Sequence, residues 1–188
     1  ESTELSEENL QIPGLEKTVT VVYDEMGIPH VFAENDHDLY VAQGYLTAKD
    51  RLWQMEFQTH FAGGRISEIV GEKGMVSDQF QRRMGAVYGA EKSFEGMKED
   101  PKATETLQAY SDGVNAYIET RQDHFPIKLK LAGITPEPWT IPDSLAVLYY
   151  MGWGSSANLQ DEIITQMLIE KLGPEKARQL FPLNINPD

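Results

Sequence analysis

The feature that most constrains this chain is a long helical pattern that begins at Asp36 and ends at Gly63-Gly64. Apolar side chains recur along it every three or four residues, which is the spacing of one face of an α-helix. Two such stripes are present, and together they are too broad for a helix that is covered on one side only. One stripe is marked by Leu39, Ala42, Leu46, Lys49, Trp53 and Glu56, and the other by Tyr45, Ala48, Leu52 and Met55. The pattern therefore predicts a helix buried on more than one side, within a mostly helical globular domain.

Residues 18 to 33 predict a β-hairpin immediately before this helix. The first six are β-branched or aromatic, the last six are mostly apolar, and a glycine-containing turn lies between them. Two such runs around a short turn are typical of antiparallel strands. Pro29 has no backbone N–H group, so it is expected at the start of its strand or on an edge. Residues 1 to 17 are polar and acidic, which predicts an extended N-terminal arm.

Helix boundaries are predicted from capping residues. Asp36 or Asp38 is expected to cap the long helix. Asp100 precedes a proline at the first helical position, and this arrangement predicts a second helix that continues to about residue 121. Residues 71 to 99 show no sustained period, so no regular element is predicted there.

A strongly apolar stretch, Leu145 to Trp153, lies nearer the C-terminus. It is apolar nearly all round, so deep burial is expected. The glycines and serines among residues 152 to 156 are expected to interrupt it. A further helical run follows from Glu162 to Leu172.

The charge balance excludes several classes of partner. The chain has 188 residues, with 30 acidic against 16 basic side chains and a formal net charge of -14. Such a charge repels phosphate backbones and anionic lipid surfaces, so neither nucleic acid nor a membrane surface is an expected partner. No run of 18 apolar residues occurs, so no membrane span is predicted. The chain has no cysteine, which excludes disulfides and thiolate nucleophiles.

Two polar pairs are candidate sites whose roles the residues leave open. Asp161-Glu162, next to Asn158 and Gln160, forms an oxygen-rich cluster of the kind that calcium prefers. The alternative is a helix N-terminus whose acidic residues complement the helix dipole. Asp50-Arg51 lies inside an apolar helix, where an unpaired buried charge is costly, so we favour a buried structural charge network.

The remaining candidates give no complete active site. Tyr149, Tyr150 and Trp153 either line an apolar pocket or belong to the core. The four histidines are scattered, without the spacing of a zinc site. No serine lies in a recognisable nucleophile motif.

Five segments between residues 18 and 182 carry a more specific signal. They are Val22 to Ala33, Gln43 to Glu56, Gly64 to Gly71, Tyr110 to Tyr117, and Pro138-Trp139. The first contains the pattern hydrophobic-Asp-x-x-Gly-x-Pro-His, and the second contains Gly-Tyr-x-x-Ala-x-Asp-Arg-Leu. In this order, the segments resemble the α (small) chain of the penicillin acylase family, a group of N-terminal nucleophile amidases.

The resemblance implies an α+β fold, in which a mostly helical α chain contributes its hairpin to the αββα sandwich of an N-terminal nucleophile hydrolase. Residues 18 to 188 would form a single α-chain domain that is incomplete without a β chain from the same precursor. The nucleophilic serine would begin that β chain and be activated by its own α-amine, so no catalytic residue is expected in this chain. The family is exported, which implies a periplasmic or secreted protein. A start at Glu1 without methionine is what removal of a signal peptide would leave, and a trimmed chain would look the same.

The resemblance also implies site residues after Trp139. Counted without gaps, two positions that cover the acyl pocket in penicillin G acylases fall on Ser155 and Ser156. Their small side chains favour a pocket wider than one built for phenylacetyl, open to larger groups such as the fatty acyl chains of quorum-signal lactones. The same count places the family's calcium-binding glutamate at Glu162, so a structural calcium ion is expected. The residues of this chain expected to bind the acyl group are Tyr150, Met151, Gly152, Trp153, Ser155 and Ser156.

Three functions stay open. The first is the α subunit of a secreted heterodimeric amidohydrolase that cleaves the side-chain amide of penicillins or related N-acyl amides. The second is the α chain of an acyl-homoserine-lactone or glutaryl/cephalosporin-type acylase. The third, from another class, is a stand-alone acidic helical binding module. An amidase α chain should co-purify with a second, larger chain, whereas such a module should not.

Overall fold

The computed structural model describes residues 9–156 and 159–180. It contains an antiparallel hairpin followed by helices, so the expected mostly helical α+β class is confirmed. The strands are β1 (Thr20–Tyr23) and β2 (Pro29–Phe32). The helices are α1 (Asp36–Ala62), α2 (Ser67–Val70), α3 (Met75–Met84), α4 (Ala86–Met97), α5 (Pro101–Thr120), α6 (Ile127–Ala132), α7 (Ile141–Ser155), α8 (Leu159–Leu172) and α9 (Pro174–Leu180). Short 3-10 helices occupy Gly71–Gly74 and Gln122–His124.

The carboxylate of Asp24 holds the hairpin turn. Its Oδ1 accepts hydrogen bonds from the backbone N–H of Met26 at 2.9 Å and of Ile28 at 2.8 Å. Gly27 has a φ of +75°, a left-handed conformation that side chains with a Cβ rarely adopt. His30 Nε2 lies 3.2 Å from the other carboxylate oxygen of Asp24. The Asp-x-x-Gly-x-Pro-His pattern therefore encodes this turn, and Pro29 begins β2 as expected.

Helix α1 has a different cap from the one expected. Asn35 is the N-cap, and its side-chain oxygen accepts a hydrogen bond from the Asp38 N–H at 2.7 Å. The prediction that Asp36 or Asp38 caps the helix was therefore wrong. The buried Asp38 carboxylate instead accepts hydrogen bonds from the backbone N–H groups of Glu16 and Lys17, at 2.8 and 3.0 Å. Burial opposes the ionisation of Asp38, but these hydrogen bonds lower its pKa and fasten the chain before β1 to the start of α1.

Helices α1 and α5 cross at two glycines. A Cβ atom added to Gly44 would lie closer than 3.0 Å to the carbonyl oxygen of Tyr110, and real Cβ atoms essentially never approach other atoms so closely. A Cβ on Gly113 would meet the carbonyl oxygen of Val41 in the same way. The two backbones can therefore approach each other only because both positions lack a side chain.

The main apolar core lies around this crossing. Tyr45 and Tyr117 pack edge to face with ring centroids 5.4 Å apart, and Trp139 closes the same cluster. Ala42 and Leu52, which belong to the two different predicted stripes of α1, are both buried. The prediction that α1 is buried on more than one side is therefore confirmed.

Helices α3 and α4 lie within residues 71 to 99, where no regular element was predicted. Gly85 separates them with a φ of +74° and ends α3 in a left-handed C-cap. Because this glycine resets the helix direction, no single period runs through the segment. The short helix α6 was also missed, since six residues are too few to show a repeat.

Contacts divide the chain into two compact units, residues 1–149 and 150–188, with the boundary inside α7. In the second unit, α8 and α9 pack together and Ala177 is buried. Gly173, with a φ of +78°, forms the turn between these two helices. The expectation of a single α-chain domain over residues 18 to 188 stays a prediction.

Candidate substrate and calcium site

The residues expected to bind the acyl group lie at the C-terminal end of α7 and directly after it. Tyr150 is half-buried, while the other five are exposed. The rings of Tyr150 and Trp153 lie 6.3 Å apart between centroids, at 32° to each other. The chain therefore presents an aromatic pair beside two small hydroxyl side chains. All six expected residues, Tyr150, Met151, Gly152, Trp153, Ser155 and Ser156, occupy this one short segment.

The expected deep burial of Leu145 to Trp153 was wrong. Leu145 is buried, but Leu148 and Met151 are 63% and 56% exposed, and Trp153 is 39% exposed. An apolar helix is fully buried only if other elements surround it, and the described part of the chain covers α7 on one side near its start. The later turns of α7 therefore expose apolar side chains, Leu148 and Tyr149 in the first unit and Met151 and Trp153 in the second, and we call these side chains the α7 surface.

The glycines do not interrupt α7, contrary to expectation. The helix continues through Gly152 and Gly154 to Ser155. Ser156 closes it, since both its N–H and its hydroxyl group donate to the carbonyl oxygen of Gly152, at 3.1 and 2.6 Å. These bonds satisfy helix-end groups and offset the cost of glycine, which is about 1 kcal/mol per residue.

Glu162 lies with Asp161 in the first turn of α8, and both side chains are exposed. Asn158, the other expected oxygen ligand, lies outside the described residues. Carboxylate oxygens are suitable calcium ligands, but calcium takes 6–8 of them. Within residues 9–156 and 159–180, no group of three or more acidic or histidine side chains is arranged to hold a metal ion. The carboxylate chemistry at Glu162 therefore fits calcium, whereas the number of ligands requires oxygens from elsewhere.

Asp50 and Arg51 do not form the buried network that we favoured. Both side chains are exposed on α1. The apolar stripes of α1 pass on either side of this pair, so their helical position points both side chains away from the core.

A polar cluster with two buried side chains at its centre was missed in the first unit. Glu56 and His60 are only 4% and 5% exposed. His60 Nδ1 donates a hydrogen bond of 2.7 Å to the backbone carbonyl of Glu56, while its Nε2 lies 3.6 Å from Glu68. Glu56 and His60 line a cavity of about 270 Å³ together with Arg65, Glu137 and Asp143, and Glu68 contacts this group through His60 and Arg65. We call the six side chains the Glu56 cluster.

The pKa values of the carboxyl groups in the Glu56 cluster shift in opposite directions. Arg65 donates hydrogen bonds to Glu68 at 3.0 Å and to Glu137 at 3.1 Å, and these bonds lower the pKa of both carboxyl groups. Glu56 receives no such guanidinium bond. Its burial, followed by the negative charges of Glu137 and Asp143, raises its pKa to about 7. One hint was visible in the sequence, because Glu56 occupies a position in an otherwise largely apolar stripe of α1.

Two of the other three histidines contact acidic side chains. His37 Nδ1 lies 3.2 Å from the Asp38 carboxylate, and His30 contacts Asp24. His124 is exposed in a short 3-10 helix.

Among the described helices, none has both the length and the apolar character needed to cross a membrane.

Comparisons with known proteins agree over most of the chain. The family model described as penicillin amidase matches residues 18–187. The acyl-homoserine lactone acylase QuiP of Pseudomonas aeruginosa (strain PAO1) is 33% identical over 171 residues, which cover 91% of this chain and 20% of that protein. Penicillin acylase 2 proenzyme of Pseudomonas sp. (strain SE83) is 38% identical over 144 residues, which cover 77% of this chain and 18% of that protein.

One solved structure matches this chain over nearly the whole length of both chains. Thermostable penicillin G acylase from Alcaligenes faecalis superposes with a TM-score of 0.67 and 28% sequence identity. The match covers 91% of this chain and 93% of that chain, so the two chains are of about the same length. By contrast, the chain spans about a fifth of the length of the curated relatives it matches. Since the family model matches 18–187, nearly the whole sequence, this chain belongs to the penicillin amidase family.

Proposed function

We propose that this chain is the α subunit of a secreted or periplasmic heterodimeric amidohydrolase, which cleaves the side-chain amide of penicillins or related N-acyl amides. The observation that carries the proposal is the pair of unequal matches. The chain is nearly coextensive with one chain of a solved penicillin G acylase, yet it spans about a fifth of a relative described as a proenzyme. Both matches fit a small chain cut from a longer precursor.

The exposed apolar side chains of α7 and of the hairpin support the proposal of a second chain that covers them. The α7 surface exposes large apolar side chains, and full burial of such a side chain from water is worth about 1.5–3 kcal/mol, so covering these partly exposed ones would stabilise an assembly by part of that amount each. The hairpin has exposed Val22, Ile28 and Phe32, and two strands alone are marginally stable in water. We therefore assign the hairpin to a larger sheet shared with the β chain.

The chemistry proposed for the enzyme divides between the chains. The β chain would supply an N-terminal serine, whose α-amine takes the hydroxyl proton as the oxygen attacks the amide carbonyl. This chain would supply part of the acyl pocket through the segment from Tyr150 to Ser156. An apolar wall of this kind binds the acyl group by excluding water and leaves the reacting carbonyl to the other chain.

Activity tests the proposal directly. We expect the isolated chain to hydrolyse no amide, and the protein co-produced with the rest of its precursor to purify with a larger second chain and to hydrolyse N-acyl amides. A panel of phenylacetyl, glutaryl and fatty acyl substrates, including acyl-homoserine lactones, would identify the acyl group. Hydrolysis by the isolated chain contradicts the proposal. A soluble native protein without a second chain would favour the stand-alone binding module.

A second candidate function is the hydrolysis of amides that carry a wide acyl group. It is supported by the QuiP match and by the small side chains of Ser155 and Ser156. We expect Ser156→Phe to lower kcat/KM for long acyl chains relative to short ones by about tenfold, because discrimination in apolar pockets is worth about 1–3 kcal/mol. Thr165→Phe, an exchange on α8 outside the Tyr150-to-Ser156 segment, is the control. An unchanged ratio of kcat/KM for long and short chains would show that Ser156 does not border the pocket.

Glu162 is proposed as one ligand of a structural calcium ion, with the remaining oxygens supplied mainly by the β chain. When bound, calcium would bring negatively charged groups of both chains together. We expect Glu162→Gln to reduce the calcium content of the assembled protein and to lower its thermal midpoint in calcium-containing buffer. A chelator should then destabilise the wild type more than the variant. Glu175→Gln on α9 is the matched control, and equal calcium content in Glu162→Gln and wild type would remove the assignment.

A further inference from the structure

A groove beside α1 contains an arginine that has no ionic partner among the residues that the structure describes. Arg51, expected to be buried and paired, is exposed and makes no ion pair or side-chain hydrogen bond within residues 9–156 and 159–180. Arg65, in contrast, contacts two glutamates, and Arg82 donates to the carbonyl of Gly64 at 2.9 Å. Arg83 and Arg178 likewise have no ionic partner within the described residues, so what distinguishes Arg51 from them is that it lines this groove.

The groove has a volume of about 720 Å³ and a polar rim along one face of α1. The described residues that line it include no carboxylate, and Arg51 is the cation among them. Its floor is apolar and contains Met55, Leu107 and Trp139. The indole N–H of Trp139 already donates to Ser144 Oγ at 2.9 Å, so the floor offers packing and no open donor.

The polar rim includes three carboxamides of α1. Gln43, Gln54 and Gln58 have no side-chain hydrogen-bond partner in the described part of the chain. A carboxamide has both donor and acceptor groups, like a peptide group, so each can pair with a main chain. From Gln43 to Gln58 the rim spans fifteen residue steps of about 1.5 Å each, or about 22 Å.

The dimensions and chemistry select an extended peptide. A strand rises about 3.3 Å per residue, so about seven residues would follow the rim. An extended chain exposes its N–H and C=O groups, whereas an α-helix uses most of its own internally. Arg51 lies near the middle of the rim, where one carboxylate on the peptide would pair with it and fix the register.

We propose that this groove binds an extended segment of the β chain, with an Asp or Glu side chain of that segment paired to Arg51. The inference rests on the proposed two-chain enzyme and names the place and chemistry of one contact between the chains. Charge complementarity supports this occupant, because a segment bearing a carboxylate is repelled by most of a surface whose net charge is -14 but is attracted here.

A zero-length cross-link tests the contact in the assembled protein. In Arg51→Lys, the introduced amine can form an amide with a carboxylate in contact with it when a carbodiimide is added. The carbodiimide takes up the water that is lost and becomes a urea. We expect mass spectrometry to show a new cross-link from position 51 to an acidic residue of the β chain. Arg83→Lys, an exposed arginine of α3 outside the groove, is the matched control and should not give that product.

A second measurement compares the Kd of the complex between the two chains for two variants. Arg51→Gln should weaken binding between the chains by about tenfold and reduce its dependence on salt, while Arg83→Gln should change binding less than about twofold. A cross-link from position 51 only to residues of this chain or to a second copy of it would overturn the inference, and so would equal Kd values for Arg51→Gln and Arg83→Gln. If the wild-type chain forms no complex with a second chain, both the groove contact and the proposed two-chain enzyme fail. If the complex forms but Arg51 makes no contact in it, only the groove contact fails.

Discussion

Replacing Gly44 with alanine should destabilise the protein by at least about 3 kcal/mol, although the change adds one methyl group. The new Cβ would be forced into the carbonyl oxygen of Tyr110, and this obstacle is backbone, which cannot move aside as a flexible side chain can. Helices α1 and α5 would have to separate along the main core. Overpacking a core costs about 1–3 kcal/mol, and a backbone conflict belongs at the upper end of that range or beyond it. Urea unfolding, or the yield of soluble protein, measures the loss.

Two variants control this prediction. Gly113→Ala should behave like Gly44→Ala, because its Cβ would meet the carbonyl oxygen of Val41. Gly96→Ala in α4 has open space around the added Cβ, and alanine favours helix by about 1 kcal/mol over glycine, so this variant should be neutral or slightly stabilised. A Gly44→Ala protein as stable as Gly96→Ala would show that the α1–α5 crossing does not need a glycine.

Glu56→Gln should make the stability of the protein less sensitive to pH between about pH 5 and pH 8. The pKa of Glu56 rises from its ordinary 4.5 to about 7 in the folded protein, so folding favours the protonated form. Its contribution to stability is therefore fully present below pH 4.5 and is lost as the pH rises through about 7. A pKa change of this size corresponds to on the order of 3 kcal/mol. Glutamine resembles the protonated side chain, so the variant should match wild type at pH 5 and exceed it at pH 8.

The control for Glu56→Gln is Glu105→Gln, which removes a negative charge from an exposed position on α5. Thermal or urea unfolding at several pH values gives the difference between each variant and wild type. The lowered pKa values of Glu68 and Glu137 act in the opposite direction and at lower pH, so they cancel in this comparison. A constant difference between Glu56→Gln and wild type from pH 5 to pH 8 would contradict the assigned pKa.

Local signals predicted much of the first unit. Asp100 and Pro101 mark the start of α5 correctly, because capping is decided by residues next to each other. The hairpin was found because Asp24 and Gly27 are residues that this turn requires. The cap of α1 was misassigned, since Asn35 and Asp38 are both good cap residues and only the approach of Glu16 and Lys17 decides between them.

The errors in the second half have a different cause. The apolar stretch from Leu145 to Trp153 was expected to be buried because a pattern shows the need for burial but not which chain supplies the cover. The candidate site has the same limit. Ser155, Ser156 and Glu162 were located by counting from Trp139, yet most of a pocket or a calcium shell would belong to another chain.

The role of the two glycines at the α1–α5 crossing was not predicted from the sequence. Gly44 and Gly113 both lie in segments that carry the family resemblance, but a glycine has no side chain whose chemistry suggests a role. Their purpose becomes clear only when the opposing carbonyl groups are located in space.

The exposed α7 surface has a consequence for how the proposed two-chain enzyme would be made. If the two chains were synthesised separately, this surface would meet other copies of itself as readily as its intended partner. Within one precursor, the partner is held at an effective concentration that reaches the millimolar range for short linkers, whatever the cellular abundance of the protein. If the proposed precursor folds before it is cut, α7 is covered by an intramolecular step, which would also protect the small chain from aggregation.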